Sequence, residues 1–153
     1  MKKFTKVIVC MLLFALVLPN AVQATAVKEQ SEDVFYFDDG SYITVEISVI
    51  ETRANSTKSG KKTYVYNSSD GAELWRAVLS GTFTYTGTTA TCTASSGSVT
   101  IANDAWYTVS KTSSKSGASA ILDLTMGRKI LGITIEKKTI NMKLTCDKNG
   151  NLS

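Results

Sequence analysis

The 153-residue chain contains no histidine. That absence removes the Ser-His-Asp triad, the Cys-His dyad and any zinc or copper site built on imidazole. Its 13 acids are scattered, and no run of them has the spacing of a calcium loop. Asp38 and Asp39 are adjacent, as acids often are in solvated turns. No carboxylate pair stands out as matched for hydrolysis. No catalytic residue, metal or cofactor is therefore expected, and the chain is read as a non-enzyme. Proline occurs once, at Pro19. Beyond residue 18 no run is apolar enough to span a bilayer.

What is present begins with an export signal. Lys2, Lys3 and Lys6 precede an apolar run at residues 7–18, which Pro19 and Asn20 break. Ala24-Thr25-Ala26 fits the small-x-small cleavage rule. Cleavage is expected after Ala26, with Ala24 as the second choice, so residues 1–26 form a signal peptide and the mature protein is secreted and extracellular. Cys10 lies inside the apolar run rather than after it, which speaks against a lipoprotein. Loss of the three signal lysines leaves 14 basic against 13 acidic residues, a balance of +1. Such a balance makes no electrostatic case for nucleic acid or an anionic membrane as partner.

The mature part is one domain's worth of chain. Residues 27–40 read as an N-terminal tail and a first short strand. The tail is residues 27–33, and Val34-Phe35-Tyr36-Phe37 ends at Asp38-Asp39-Gly40, which is turn chemistry. Residues 41–153 read as a single β-sandwich domain. Ile43, Val45, Ile47 and Val49 alternate with Thr44, Glu46 and Ser48, the period of a half-buried strand. Residues 75–94 carry two alternating runs that meet at Gly87. Trp75, Ala77, Leu79, Phe83 and Tyr85 share one parity of the first; Ala90, Cys92 and Ala94 share one parity of the second. This predicts a β-hairpin with one buried face. Gly81 within it marks a bulge or a close approach.

Further strands are expected at residues 62–67, 106–111, 118–126 and 139–146, with a brief one near Val99 and Ile101. Loops are expected at residues 53–60 and 111–117, and a turn or bulge at Gly127-Arg128-Lys129 before an apolar stretch at 130–136. The sum is all-β: an antiparallel β-sandwich or flattened barrel of about 7–9 short strands.

Cys92 and Cys146 are the two cysteines left after export. Both fall on the apolar parity of their strands, and an even pair in an exported chain predicts one buried disulfide. Cys92, Trp106 and Cys146 follow the Cys-Trp-Cys order of immunoglobulin domains, but Leu144 stands where the tyrosine corner belongs, and about four strands precede Cys92. Trp106 is more simply a core aromatic. Thr82, Thr84 and Thr86, with Thr89, Thr91 and Thr93, make a hydroxyl-bearing outer face. Such arrays occur in ice-binding solenoids, but threonine is also the ordinary residue of a wet strand face.

Three segments carry a resemblance: G-T-F-T-Y-T-G-T-T-A-T-C-T at residues 81–93, L-G-I-T-I-E at 131–136 and L-T-C-D-K-N-G-N-L-S at 144–153. In this order they resemble a family of small secreted proteins of Gram-positive, clostridia-type bacteria whose function is unknown. The resemblance implies secretion and a shared fold with two cysteines, and it brings no catalytic residue or ligand. The expected function is binding by a secreted, non-catalytic β-sandwich at or outside the cell surface, with an extracellular or cell-surface partner and no ligand-binding residue yet in view. The rivals are a secreted antagonistic protein, bacteriocin-like or an enzyme inhibitor, and a small carboxylate-dependent hydrolase.

Overall fold

The computed structural model describes residues 27–50 and 56–153. The expected signal peptide, with Ala24 and Ala26, lies outside the described residues, as does part of the loop expected at 53–60. Eight strands follow in order: β1 (Val27–Tyr36), β2 (Tyr42–Ile50), β3 (Thr57–Asn67), β4 (Glu73–Tyr85), β5 (Ala90–Ile101), β6 (Trp106–Ser116), β7 (Ser119–Ile130) and β8 (Ile133–Thr145). No described residue is helical.

Strands β1 to β5 form one sheet in sequence order, and β6 to β8 form a second. Every pairing is antiparallel. The sheets do not close into a barrel, so of the two expected architectures the structure is the sandwich. Each connection joins spatial neighbours, as short turns require. Only the turn at residues 102–105 carries the chain from one sheet to the other, tied down where the Ala102 amide donates to Leu74 O at 3.0 Å.

Strand parity builds the core. Trp75, Ala77, Leu79 and Phe83 of β4 are fully buried, and so are Ala120, Leu122 and Met126 of β7 and Met142 and Leu144 of β8. Two glycines let the sheets meet this closely. A Cβ at Gly81 would fall 2.6 Å from the Phe83 ring of its own strand and 3.1 Å from Ala120 of the facing sheet, and one at Gly97 would fall 2.5 Å from Leu122. Gly81 is thus a close approach. The bulge lies one step further on, where the register shifts between Thr82 and Phe83.

That bulge corrects the parity of the second run. Phe83 pairs with Cys92, but Thr82 pairs with Ala94, leaving Thr93 as the extra residue. Ala94, expected inward, is therefore turned out and exposed, while Cys92 stays buried.

Other boundaries move too. Residues 27–33 belong to strand β1 because they pair with β2 along its length. Residues 111–116 are strand because β7 pairs them to Ser116. Of the turn or bulge expected at 127–129 the structure has a bulge, and the chain reverses at Leu131 and Gly132.

The two ends of the sandwich differ. At one, the turns β1–β2, β3–β4, β5–β6 and β7–β8 gather around an aromatic cluster. Tyr66 stacks on Trp75 with centroids 5.1 Å apart and meets Trp106 edge-on at 5.4 Å. At the other, the β4–β5 and β6–β7 turns are closed by the chain terminus. Leu152 is buried there, bridging to Cys146, and the Gly87 amide donates to Lys148 O at 2.9 Å.

Candidate functional site

The aromatic end holds a cavity of about 320 Å³. Its walls come from separate elements. Asp39 and Ser41 belong to the β1–β2 turn, Ser68 and Ser69 to the β3–β4 turn, and Arg128 and Glu136 to facing positions on β7 and β8. Tyr66 and Trp106 close it from the core side. Both rings are almost wholly buried, and with Leu74 in the wall the accessible lining is part polar and part apolar in nearly equal measure.

The Asp-Gly turn orders the first wall. The Phe37 amide donates to Ser41 O at 2.8 Å and the Gly40 amide to Phe37 O at 3.0 Å, with Gly40 at φ 79°. Glycine takes that left-handed conformation without steric cost. The Ser41 hydroxyl donates to Asp39 Oδ1 at 2.5 Å, and the Ser41 amide donates to the same oxygen at 3.0 Å. The Tyr66 hydroxyl then donates to Ser41 Oγ at 2.9 Å, which joins the turn to the core. The Ser41 hydroxyl and then its amide hold the Asp39 carboxyl below the usual carboxylate range, with Lys138 adding to them.

Lys138 organises the charges. Its Nζ lies 3.3 Å from Glu136 Oε1 and 3.9 Å from Asp39 Oδ2. It also sits 4.4 Å from the centre of the Phe37 ring, a cation–π distance. Burial works against its ammonium, but Tyr66, Glu136 and Asp39 outweigh burial and raise its pKa. Arg128 Nη1 reaches Glu136 Oε2 at 3.8 Å. The cavity is thus walled by two carboxylates, each already facing a cation, and by three serines.

The cysteines lie at the opposite end. Both are buried, as their parity predicted. The disulfide expected between Cys92 and Cys146 is not formed: both are free thiols. Each thiol is directed at a nearby carbonyl, Cys92 Sγ at Ala94 O (3.2 Å) and Cys146 Sγ at Asp147 O (3.4 Å). Burial pushes both thiols up in pKa, Asp147 adding to it at Cys146. They flank one turn, since the Cys92 amide donates to Gly117 O and the Cys146 amide to Ala118 O.

Trp106 packs on Tyr66 and Trp75, as a core aromatic does. Thr84, Thr86, Thr89, Thr91 and Thr93 are exposed, and the tip threonines bond one another around Thr86 Oγ1. No group of three or more Cys, Asp or Glu among the described residues could hold a metal ion.

Sequence reasoning named no ligand-binding residue. It read Asp38-Asp39-Gly40 only as a turn and gave Ser68 and Ser69 no binding role. Their convergence with Arg128 and Glu136 depends on topology, which no local pattern carries. Comparison with protein-family models, with curated proteins and with solved structures gives no match in any of the three.

Proposed function

We propose that the protein is exported and acts by binding rather than catalysis, and that the cavity at the aromatic end receives a small hydroxylated ligand, the terminal sugar of a cell-surface glycan. The observation that carries this reading is the cavity's lining: Asp39, Glu136, Arg128 and three serine hydroxyls around a space at the lower limit for small-molecule sites. Carboxylates accept sugar hydroxyls, the guanidinium and the exposed Ser69 hydroxyl donate to them, and the mixed signs suit a neutral ligand, while the Ser41 and Ser68 hydroxyls are held by Asp39 and Asp70. Export is supported by the basic, apolar and small-residue order of residues 2–26 and by the family resemblance.

A second reading, hydrolysis by paired carboxylates, draws on the presence of both Asp39 and Glu136 in one cavity. Glycoside hydrolysis needs one carboxyl kept neutral to protonate the leaving group. Asp39 is instead shifted towards its ionised form, and Glu136 lies against two cations. Binding is therefore favoured over turnover.

The test is calorimetric titration with a panel of mono- and disaccharides found on bacterial surfaces, alongside a reducing-sugar assay. Saturable binding by at least one sugar, weakened about tenfold or more by Glu136→Gln, is the expected result. No binding across the panel, or equal binding by the variant, overturns the reading. Release of reducing ends that stops in Asp39→Asn would establish the hydrolase instead.

A further inference from the structure

The β7–β8 hairpin projects an apolar tip. Leu131 is 97% exposed, Ile133 69%, Ile135 51% and Ile130 49%. These four residues fall within a stretch of six; among the described residues the other exposed large hydrophobic side chains are Val34, Phe35, Tyr36, Ile101 and Val109. The last pair of the hairpin is Ile130 with Ile133, and Leu131 and Gly132 form the reversal.

The turn gives no local reason for leucine. Leu131 has φ 49° and Gly132 φ 81°, so both central residues are left-handed. A two-residue hairpin loop of this kind favours Asn-Gly or Asp-Gly, whose first residue tolerates that conformation. Leucine is strained there, and its side chain touches solvent rather than the core. A fold-driven choice would be asparagine. Strain together with near-complete exposure points outward, to something the tip meets.

The collar behind the tip is basic. Arg128, Lys129, Lys137 and Lys138 lie within two residues of the apolar segment or one step beyond, against Glu136 and, across the cleft, Asp39. Lys129 is exposed with its Nζ 4.3 Å over the Tyr107 ring, and Lys137 makes no ion pair among the described residues. The near-neutral balance of the mature chain conceals this concentration, which net charge alone could not reveal. Tyr36, 75% exposed, stands at the same end. An apolar apex, a cationic collar and an exposed aromatic are arranged as at a bilayer surface, where apolar groups enter the acyl boundary and cations face the lipid phosphates.

We propose that the β7–β8 tip docks the protein on an anionic lipid surface. The length of the tip decides between docking and spanning. From Ile135 to the apex is about four residues, or roughly 13 Å at strand rise, against about 30 Å of hydrocarbon. The hairpin reaches the interface and does not cross. Leu131 and Ile133 do not line the cavity, whereas Arg128 of the collar does, so substitutions at the apolar tip separate docking from ligand binding.

The experiment is co-sedimentation of the purified full chain with phosphatidylcholine vesicles, with and without phosphatidylglycerol. Parent, Leu131→Asp and Ile133→Asp chains of equal length are compared. Any contribution from the apolar run at residues 7–18 is common to all three and cancels in the ratios. Both substituted positions are exposed, and unchanged thermal midpoints confirm the fold. The expected result is partition onto anionic vesicles that falls about tenfold or more in each variant and weakens with salt. In Ile133→Trp, the anionic vesicles should add a blue-shifted emission component. Equal partition by parent and variants overturns the proposal, as does equal binding to neutral vesicles. So does self-association of the parent without vesicles that Leu131→Asp abolishes, because the tip would then seat against a second copy.

Discussion

The two ends of this sandwich solve one problem in opposite ways. Both must cap a core open between the sheets. The cysteine end is closed by the chain itself: Leu152 fills the space above Gly60, Tyr85 lies against Gly150, and the Ser153 amide pairs with Thr145 O. The aromatic end is closed by large rings, Tyr66, Trp75 and Trp106, and leaves a cavity above them. Each end carries an aspartate whose carboxyl is held below its usual range by its own turn, Asp39 by Ser41 and Asp147 by Asn151. The difference is in what stays accessible. A sealed end contributes stability alone, whereas an end capped by rigid rings supports a cavity of mixed polar and apolar lining on a fixed floor.

The largest expected effect comes from breaking the ring-capped end. Trp106→Ala removes a nearly fully buried indole that touches both Tyr66 and Trp75. It should cost about 3–5 kcal/mol in denaturant unfolding and abolish ligand binding in any protein that still folds. A loss under about 1 kcal/mol would mean that the rings do not cap the core.

Leu152→Ala tests the sealed end. The lost burial should cost about 2–4 kcal/mol, leaving affinity at the far cavity unchanged. A parallel fall in affinity would show that the two ends are not independent. Gly150→Ala sharpens the point with less disruption. Gly150 has φ 87°, and a Cβ there would lie 2.7 Å from the Tyr85 ring, so about 1–2 kcal/mol is expected.

Much of this contrast was legible in the sequence, and what was not has a physical reason. Alternation at residues 43–49 and 140–146 fixed which side chains face inward, because side-chain parity in a strand is local. The same logic put Cys92 and Cys146 in the core. It did not make them a bridge, since a shared interior says nothing about sulfur separation. Ala94 was misplaced because Thr93 is an extra residue in β5, and a bulge reverses parity beyond it. Of the turn or bulge read at residues 127–129 the structure has the bulge, and the β7–β8 reversal at Leu131 went unread because leucine gives no turn signal. The cavity was not legible at all: its walls lie up to 97 positions apart, from Asp39 to Glu136.

The thiols and carboxylates give the comparison a pH dependence. Asp39, Asp70, Glu73 and Asp147 all have lowered pKa values in the folded protein. The stability they contribute is complete above their unfolded values, near 4, and is lost as pH falls through the folded ones. Cys92 and Cys146 have raised values, so their contribution is complete below about pH 8.5 and is lost as pH rises beyond it. The thermal midpoint should thus be level between about pH 5 and 8, with or without EDTA, and fall on both sides. A thiol titration of the chain from Val27 onward should find two groups after denaturation and none in the native protein. Fewer than two in the denatured, unreduced protein would show a bridge at the sealed end.

The smallest stability effect is expected where the functional effect is greatest, and this asymmetry decides whether the cavity end is built for binding. Arg128 pairs with Glu136 at 3.8 Å, and the two side chains are 44% and 26% accessible. Such a pair is screened by water and is worth about 0–1 kcal/mol. Lys138 also reaches Glu136, so removing the guanidinium leaves that carboxylate with a cation at 3.3 Å. Arg128→Gln should therefore shift the unfolding midpoint by no more than a degree or two, while weakening binding of the proposed sugar by about tenfold or more. The reverse outcome, a clear loss of stability with affinity intact, would make Arg128 a structural cap and remove the main difference between the two ends.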